Sequence, residues 1–197
     1  MRNRIVTISR EFGSGGRTVG KLLAGELGIP CYDSELIQKI AEKSGFTENY
    51  VRKADESASS GFLVSAFSTR AFGPTNEDYL WEVQRKVILE LAEKESCVIV
   101  GRCADYILRE TADCLTAFIH ASMEYRMNRI VEVYGEREES PEQRVKEKDK
   151  RRAAYHRFYT NMKWGYAKNY QVCLDSGALG IENCVDILKR LYEKKPV

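Results

Sequence analysis

No run in this sequence approaches the ~20 consecutive apolar residues of a bilayer-spanning helix, which argues against a membrane protein of that kind. Histidine is nearly missing, with two residues in 197. The six cysteines (Cys31, Cys97, Cys103, Cys114, Cys173, Cys184) form no C-x-x-C pair and have no histidine at metal-ligand spacing. Zinc-site and dithiol chemistry are therefore not indicated. Most of these cysteines lie in or beside apolar segments and read as reduced core residues of a cytoplasmic protein. Net charge is only +2, so no global basic excess points to nucleic acid. Repeats and low-complexity tails are absent. The amino terminus enters an apolar strand pattern directly, leaving no room for a signal peptide.

What is present is an ordinary globular mixture, 43% hydrophobic and 30% charged, of a size for one domain over residues 1–197. The informative stretch is residues 4–27. Ile5, Val6, Thr7 and Ile8 are β-branched and predict a short buried strand. Gly13, Ser14, Gly15 and Gly16 then break both strand and helix. From Arg17 to Leu27, Val19, Leu22, Leu23 and Leu27 recur at helical spacing. Strand, glycine loop and helix together form a phosphate cradle, because loop amides and the helix dipole converge on one point. Against the P-loop pattern G-x-x-x-x-G-K-[ST], Gly16 and Thr18 fit. Arg17 stands where lysine is usual and Glu11 where the first glycine is usual. The G-x-G-x-x-G dinucleotide pattern fails, since Thr18 occupies its third glycine position.

Further strands are predicted at Cys31-Tyr32, Cys97–Val100, Leu115–Ile119 and Val172–Leu174. Helices are expected from Asp33-Ser34, over Thr47–Ala54, Asn76–Lys94 and Ala104–Leu108, from Ser122 through Tyr134, from Ser140 as far as Trp164, and over Ile181–Tyr192. Ser140-Pro141-Glu142-Gln143 reads as a capping box. Five strands separated by helices predict an α/β fold with a five-stranded parallel sheet covered by helices. In such a sheet the ligand binds at the strand carboxyl ends. Those ends carry the glycine loop, Asp33-Ser34, Gly101-Arg102 with Asp105, His120-Ala121-Ser122, and Asp175-Ser176-Gly177.

Arg102 could grip a phosphate through two parallel N–H bonds, or pair with Asp105 one turn on. Asp33 could hold Mg²⁺ through water, act on an acceptor, or simply cap a helix. From Arg137 through Lys163 there are nine Lys/Arg against five Asp/Glu. This is either a solvated face or a segment that closes over transferring phosphate. Asp149 lies three residues before Arg152 and could hold it in place. Phe62, Phe67 and Phe72 make 55–75 an expected flap or dimer surface rather than a floppy linker.

The sequence resembles the cytidylate kinase-like family of nucleoside monophosphate kinases. The resemblance rests on Ile8–Gly16, Tyr32-Asp33-Ser34, Val100-Gly101-Arg102 with Ala104–Leu108, Ile119–Ser122 with Arg126, Asp149–Arg152, and Asp175–Glu182. It implies a P-loop kinase fold with a helical acceptor-side insert near 34–95 and a helical lid near 134–164. It also implies transfer of the ATP γ-phosphoryl to CMP or dCMP with Mg²⁺. Gly13, Ser14, Gly15, Gly16, Arg17, Thr18 and Arg129 would hold ATP, and Thr18 and Asp33 the metal. Asp33, Ser34, Lys39, Arg102, Asp105 and Arg126 would face the acceptor. Arg17, Arg102, Asp149 and Arg152 would stabilise the moving charge. Lys39 stands where the family has arginine, and Val100 where those kinases carry aspartate. The rival expectations are an anion- or nucleotide-sensing module with little turnover, motivated by Arg17 and Val100, and a kinase for a different small acceptor.

Overall fold

The computed structural model describes residues 3–56 and 75–194. The Phe-rich segment, with its flap and dimer expectations, falls almost wholly outside these described residues. Five strands run β1 (Arg4–Arg10), β2 (Cys31–Tyr32), β3 (Cys97–Val100), β4 (Asp113–His120) and β5 (Val172–Asp175). They form one parallel sheet in the order β2-β3-β1-β4-β5, as the sequence predicts. The central strand β1 pairs Ile5 with Cys97 on one side and with Cys114 on the other. Because both its faces are covered, it reads as a continuous apolar run.

Helix α1 (Gly16–Leu27) and helix α9 (Ile181–Glu193) cover one face. There Val19, Leu23, Val185 and Leu188 pack on Val6, Ile8, Val98 and Val100. The other face packs Ile5, Cys97 and Ile99 against α2 (Ser34–Ser44), α3 (Glu48–Glu56), α4 (Asn76–Lys94) and α5 (Ala104–Ile107). Helices α6 (Met123–Tyr134) and α7 (Pro141–Thr160) stand beyond the carboxyl end of β4, and α8 (Ser176–Leu179) follows β5 directly.

Several helix ends are set by local chemistry. The Thr75 hydroxyl accepts from the Asp78 amide, and Asp78 returns the bond to the Thr75 amide, a complete capping box. Ser140 accepts from the Gln143 amide at 3.3 Å. Helix α7 stops at Thr160, short of the expected Trp164, because Asn161 turns into the left-handed region at φ 55° and closes it. Its carboxyl half is tied to α4. The Trp81 and Tyr159 rings stack at 4.2 Å, and the Tyr155 hydroxyl donates to Gln84 Oε1 at 3.3 Å.

Burial raises the thiols of Cys97 and Cys114, each to about 12, so these cysteines are packing groups and not nucleophiles. All six cysteines are unbridged. Among the described residues no helix is long and apolar enough to cross a membrane. Ile8 is fully buried in the central strand. Replacing it with alanine should lower the unfolding free energy by about 3 kcal/mol through lost contacts and a residual cavity, as read by urea denaturation.

Candidate active site

The carboxyl ends of β1, β2 and β3 open into a cleft of about 1030 Å³, walled on its far side by α6 and α7. Its rim is strongly basic. Arg10, Arg17, Lys21, Arg52, Arg102, Arg129, Arg137, Arg144, Lys148, Arg151 and Arg152 line it, against Glu11, Asp33, Glu139 and Glu147. On a chain of net charge +2, this gathers the positive side chains into one concavity. Low-dielectric walls strengthen the field there and select anionic ligands.

The glycine loop forms the floor. Gly13 and Gly15 sit at φ 83° and 79°, and a Cβ on Gly15 would stand 2.4 Å from Ile181 Cδ1. Only glycine combines that backbone with that contact. Ser14 turns inward and is fully buried. Its hydroxyl donates to the Glu11 carbonyl at 2.9 Å and lies 3.1 Å from the Ile119 carbonyl. It shapes the loop and presents no side chain to a ligand. Thr18 Oγ1 accepts from Arg129 at 2.9 Å, joining α1 to α6 over the loop.

Glu11, the residue that departs from the P-loop pattern, is an anchor. Its carboxylate accepts from the Ala121 amide at 3.2 Å and lies 3.4 Å from Arg126 Nε. Burial raises its pKa, opposed chiefly by the Arg126 charge. Arg126 is itself buried and contacts Asp149 of α7, while Asp149 Oδ1 accepts from the Phe12 amide at 2.7 Å. Phe12 in turn stacks on Tyr134, and the Arg152 guanidinium lies 5.6 Å from the Phe12 ring centre. Helices α6 and α7 therefore hold the front of the loop from several sides.

Arg102 sits in a strained turn. Gly101, Arg102 and Cys103 follow one another at φ 77°, 58° and 53°. Non-glycine residues in that region cost about 1–3 kcal/mol each and cluster at functional sites. Gln84 holds the turn by donating to the Arg102 carbonyl at 3.1 Å. Arg102 Nη1 donates to Val51 O at 3.3 Å. Opposite it, Arg17 is ion-paired with Asp33, which stands at the head of α2 without making a side-chain cap bond.

The structure thus brings Gly13, Gly15, Gly16, Arg17, Thr18, Asp33, Ser34, Arg102, Arg129 and Arg152 to one cleft. Five expected site residues lie elsewhere, the first being Ser14, whose side chain is buried beneath the loop. Asp105 is buried behind the Arg102 turn, 3.3 Å from His156 Nε2 and 3.4 Å from the Ser9 hydroxyl. Arg126, buried, and Asp149, half-buried, are paired behind the loop; Asp149 serves that pair and the Phe12 amide. Lys39 lies 5.9 Å from the Tyr32 ring centre, away from the cleft lining. Sequence reading missed Arg10, Arg52, Gln84 and the anchoring role of Glu11. For Glu11 the signal was available, as a carboxylate at a glycine position next to a basic cleft.

For the metal that such a cleft would use, the described residues hold no cluster of three or more histidine, cysteine or carboxylate groups. Thr18 Oγ1 and Asp33 remain as oxygen donors, although Thr18 Oγ1 accepts from Arg129 and Asp33 Oδ2 is the atom paired with Arg17. That sparse set fits Mg²⁺, which keeps waters and draws further ligands from phosphates.

Because folded Glu11 binds its proton more tightly than the unfolded chain, its ionisation removes stability as pH rises from 4.5 through the raised value. In urea titrations from pH 4 to pH 7, the stability of the wild type relative to Glu11→Gln should fall; a difference that grows contradicts this assignment.

The sequence pattern of the cytidylate kinase-like family matches residues 5–178. A cytidylate kinase from Archaeoglobus fulgidus is 29% identical over 201 residues, spanning 98% of this chain and 96% of that protein. The crystal structure of an uncharacterized protein from Eubacterium ventriosum superposes with a TM-score of 0.73 at 30% identity, covering 98% of this chain and all of that one (100%). Shikimate kinase from Bacteroides thetaiotaomicron aligns over 98% of this chain and 99% of its own at 20% identity, with a TM-score of 0.54, a likeness of fold alone. With its glycine loop, parallel sheet and basic cleft in place, and with the family pattern running through nearly all of them, the chain belongs to the cytidylate kinase-like family.

Proposed function

We propose that this protein transfers the γ-phosphoryl group of ATP to a nucleoside monophosphate, with CMP and dCMP as the preferred acceptors. The observation that carries the reading is the cleft itself, where a glycine loop and a gathering of arginines face Ser34 and Arg52 across one concavity. The relative named as a cytidylate kinase supports the choice of acceptor.

Loop amides from Gly13 to Thr18 bind the donor phosphates, with Arg17 and Arg129 at their edge. Arg102, fixed by Gln84, orients the acceptor phosphate. Helix α7 acts as the lid, and its arginines exclude water and take up charge as the phosphoryl group moves. Thr18 and Asp33 would hold Mg²⁺, which would supply neutralisation of the phosphate charge. Asp149 and Arg126 act on the loop and not on the nucleotide.

Phosphorylated product should appear when ATP is mixed with CMP or dCMP, with kcat/KM at least about tenfold above that for AMP or GMP. Turnover with none of a full panel of monophosphates removes the proposal. A second reading, a nucleotide sensor without turnover, is favoured by the Arg17–Asp33 ion pair, which engages the loop cation. Tight ATP binding by calorimetry with no product over hours would select it. If the arginine is adapted to its place, Arg17→Lys should lower kcat by about tenfold, because lysine lacks the fork that serves phosphate and Asp33 together.

A further inference from the structure

Arg10 ends β1, at the foot of the glycine loop. Its side chain runs across two glycines. A Cβ on Gly16 would stand 2.5 Å from Arg10 Cβ and 3.0 Å from its Cγ. A Cβ on Gly101 would stand 2.0 Å from Arg10 Nη1 and 3.0 Å from its Cζ. Side-chain atoms do not pack that closely, so hydrogen at both positions is what opens this path. The aliphatic stem thus rests on the phosphate loop, and the guanidinium rests on the turn that presents Arg102. Arg10, Gly16, Arg102 and Arg152 all line the cleft. Arg152 Nη1 also donates to the Arg10 carbonyl at 3.0 Å, which brings α7 to the same place.

Arginines from β1, from the turn after β3 and from α7 therefore line one cleft. The stem and guanidinium of Arg10 lie between the loop that would hold the donor phosphates and the turn that presents the arginine for the acceptor phosphate.

We propose that Arg10 is a catalytic residue that grips the phosphoryl group in transit between the glycine loop and Arg102, an inference that rests on the phosphotransferase reading above. In that step an acceptor phosphate oxygen forms a bond to the γ-phosphorus as the bond from that phosphorus to the β–γ bridging oxygen breaks. The bridging oxygen keeps the electron pair and leaves as a terminal oxygen of ADP. Charge spreads over the three equatorial oxygens of the group in flight. Two N–H groups of one guanidinium match two of those oxygens, and the fork gives up no proton.

The test uses the full chain and three single variants. Arg10→Ala should lower kcat by about 100-fold or more while the KM for ATP changes by less than about threefold, since the contact is made chiefly in transit. Arg10→Lys should recover part of the rate, because charge returns without the fork. Gly101→Ala should lower kcat in both backgrounds through strain in the turn that presents Arg102, and by a larger factor in the Arg10 background. The backbone strain at Gly101 is common to both backgrounds, so the difference isolates the displaced guanidinium. Arg10→Ala with kcat within about threefold of wild type overturns the proposal, as does a rate loss matched by loss of folded protein in a melting curve. Should the wild type phosphorylate no acceptor, the phosphotransferase reading fails on its own. Calorimetry with ADP and aluminium fluoride, a mimic of the group in flight, then still decides the residue: binding weakened about tenfold in Arg10→Ala while ATP binding is unchanged supports contact by Arg10, and unchanged binding of the mimic overturns it.

Discussion

The network that shapes this cleft meets the phosphate loop at one backbone amide. Phe12 N–H is accepted by Asp149 of α7, and Asp149 also pairs with Arg126 of α6, which lies against Glu11. The phosphate loop, the end of β4 and two helices thereby meet in one ionic network centred on the buried Arg126 guanidinium. Breaking such a network from one side leaves a charge stranded, at a cost of about 3–5 kcal/mol, which is far more than an exposed pair is worth. The loop can thus be rich in glycine and still keep one conformation. Its rigidity is supplied from outside, by carboxylates and a guanidinium that leave the inward-facing amides for a ligand.

The same network bears on the electrostatics. Many guanidinium and ammonium groups around one cavity repel one another. The few carboxylates present are spent on holding structure: Glu11 on Ala121 and Arg126, and Asp33 on Arg17. The cleft therefore stays positive where a ligand would enter. Strain is stored nearby, in the left-handed turn from Gly101 to Cys103, and Gln84 keeps it there through two bonds to Arg102. Fold and site are linked at this point, because a buried side chain of α4 fixes a residue of the cleft.

Much of the scaffold was legible in the sequence. The buried strands read as unbroken β-branched runs, and Asn76–Lys94 and Met123–Tyr134 emerge with the boundaries that periodicity and capping residues suggest. Strand ends carrying Gly13–Thr18, Asp33, Ser34 and Arg102 were also readable, because a parallel sheet must place them together. The misplaced residues share one physical cause. Asp105 and Asp149 were judged by their neighbours in the chain and Arg126 by the family resemblance, yet their partners are His156, Phe12 and Glu11, which only tertiary packing supplies. Arg10 was overlooked for a related reason. Its importance comes from the bare backbone of Gly16 and Gly101, and close approach across three elements leaves no local pattern.

Trp81 stacked on Tyr159, with Tyr155 bonded to Gln84, gives α7 two unequal halves. The carboxyl half is fastened to α4, whereas the amino half carries Arg144, Lys148, Arg151 and Arg152 to the lining of the cavity. Asp149 ties the middle of the same helix to the Phe12 amide. Aromatic packing at one end and a carboxylate bond midway together fix where these arginines stand, so side chains remote from any phosphate set the reach of those that would touch it.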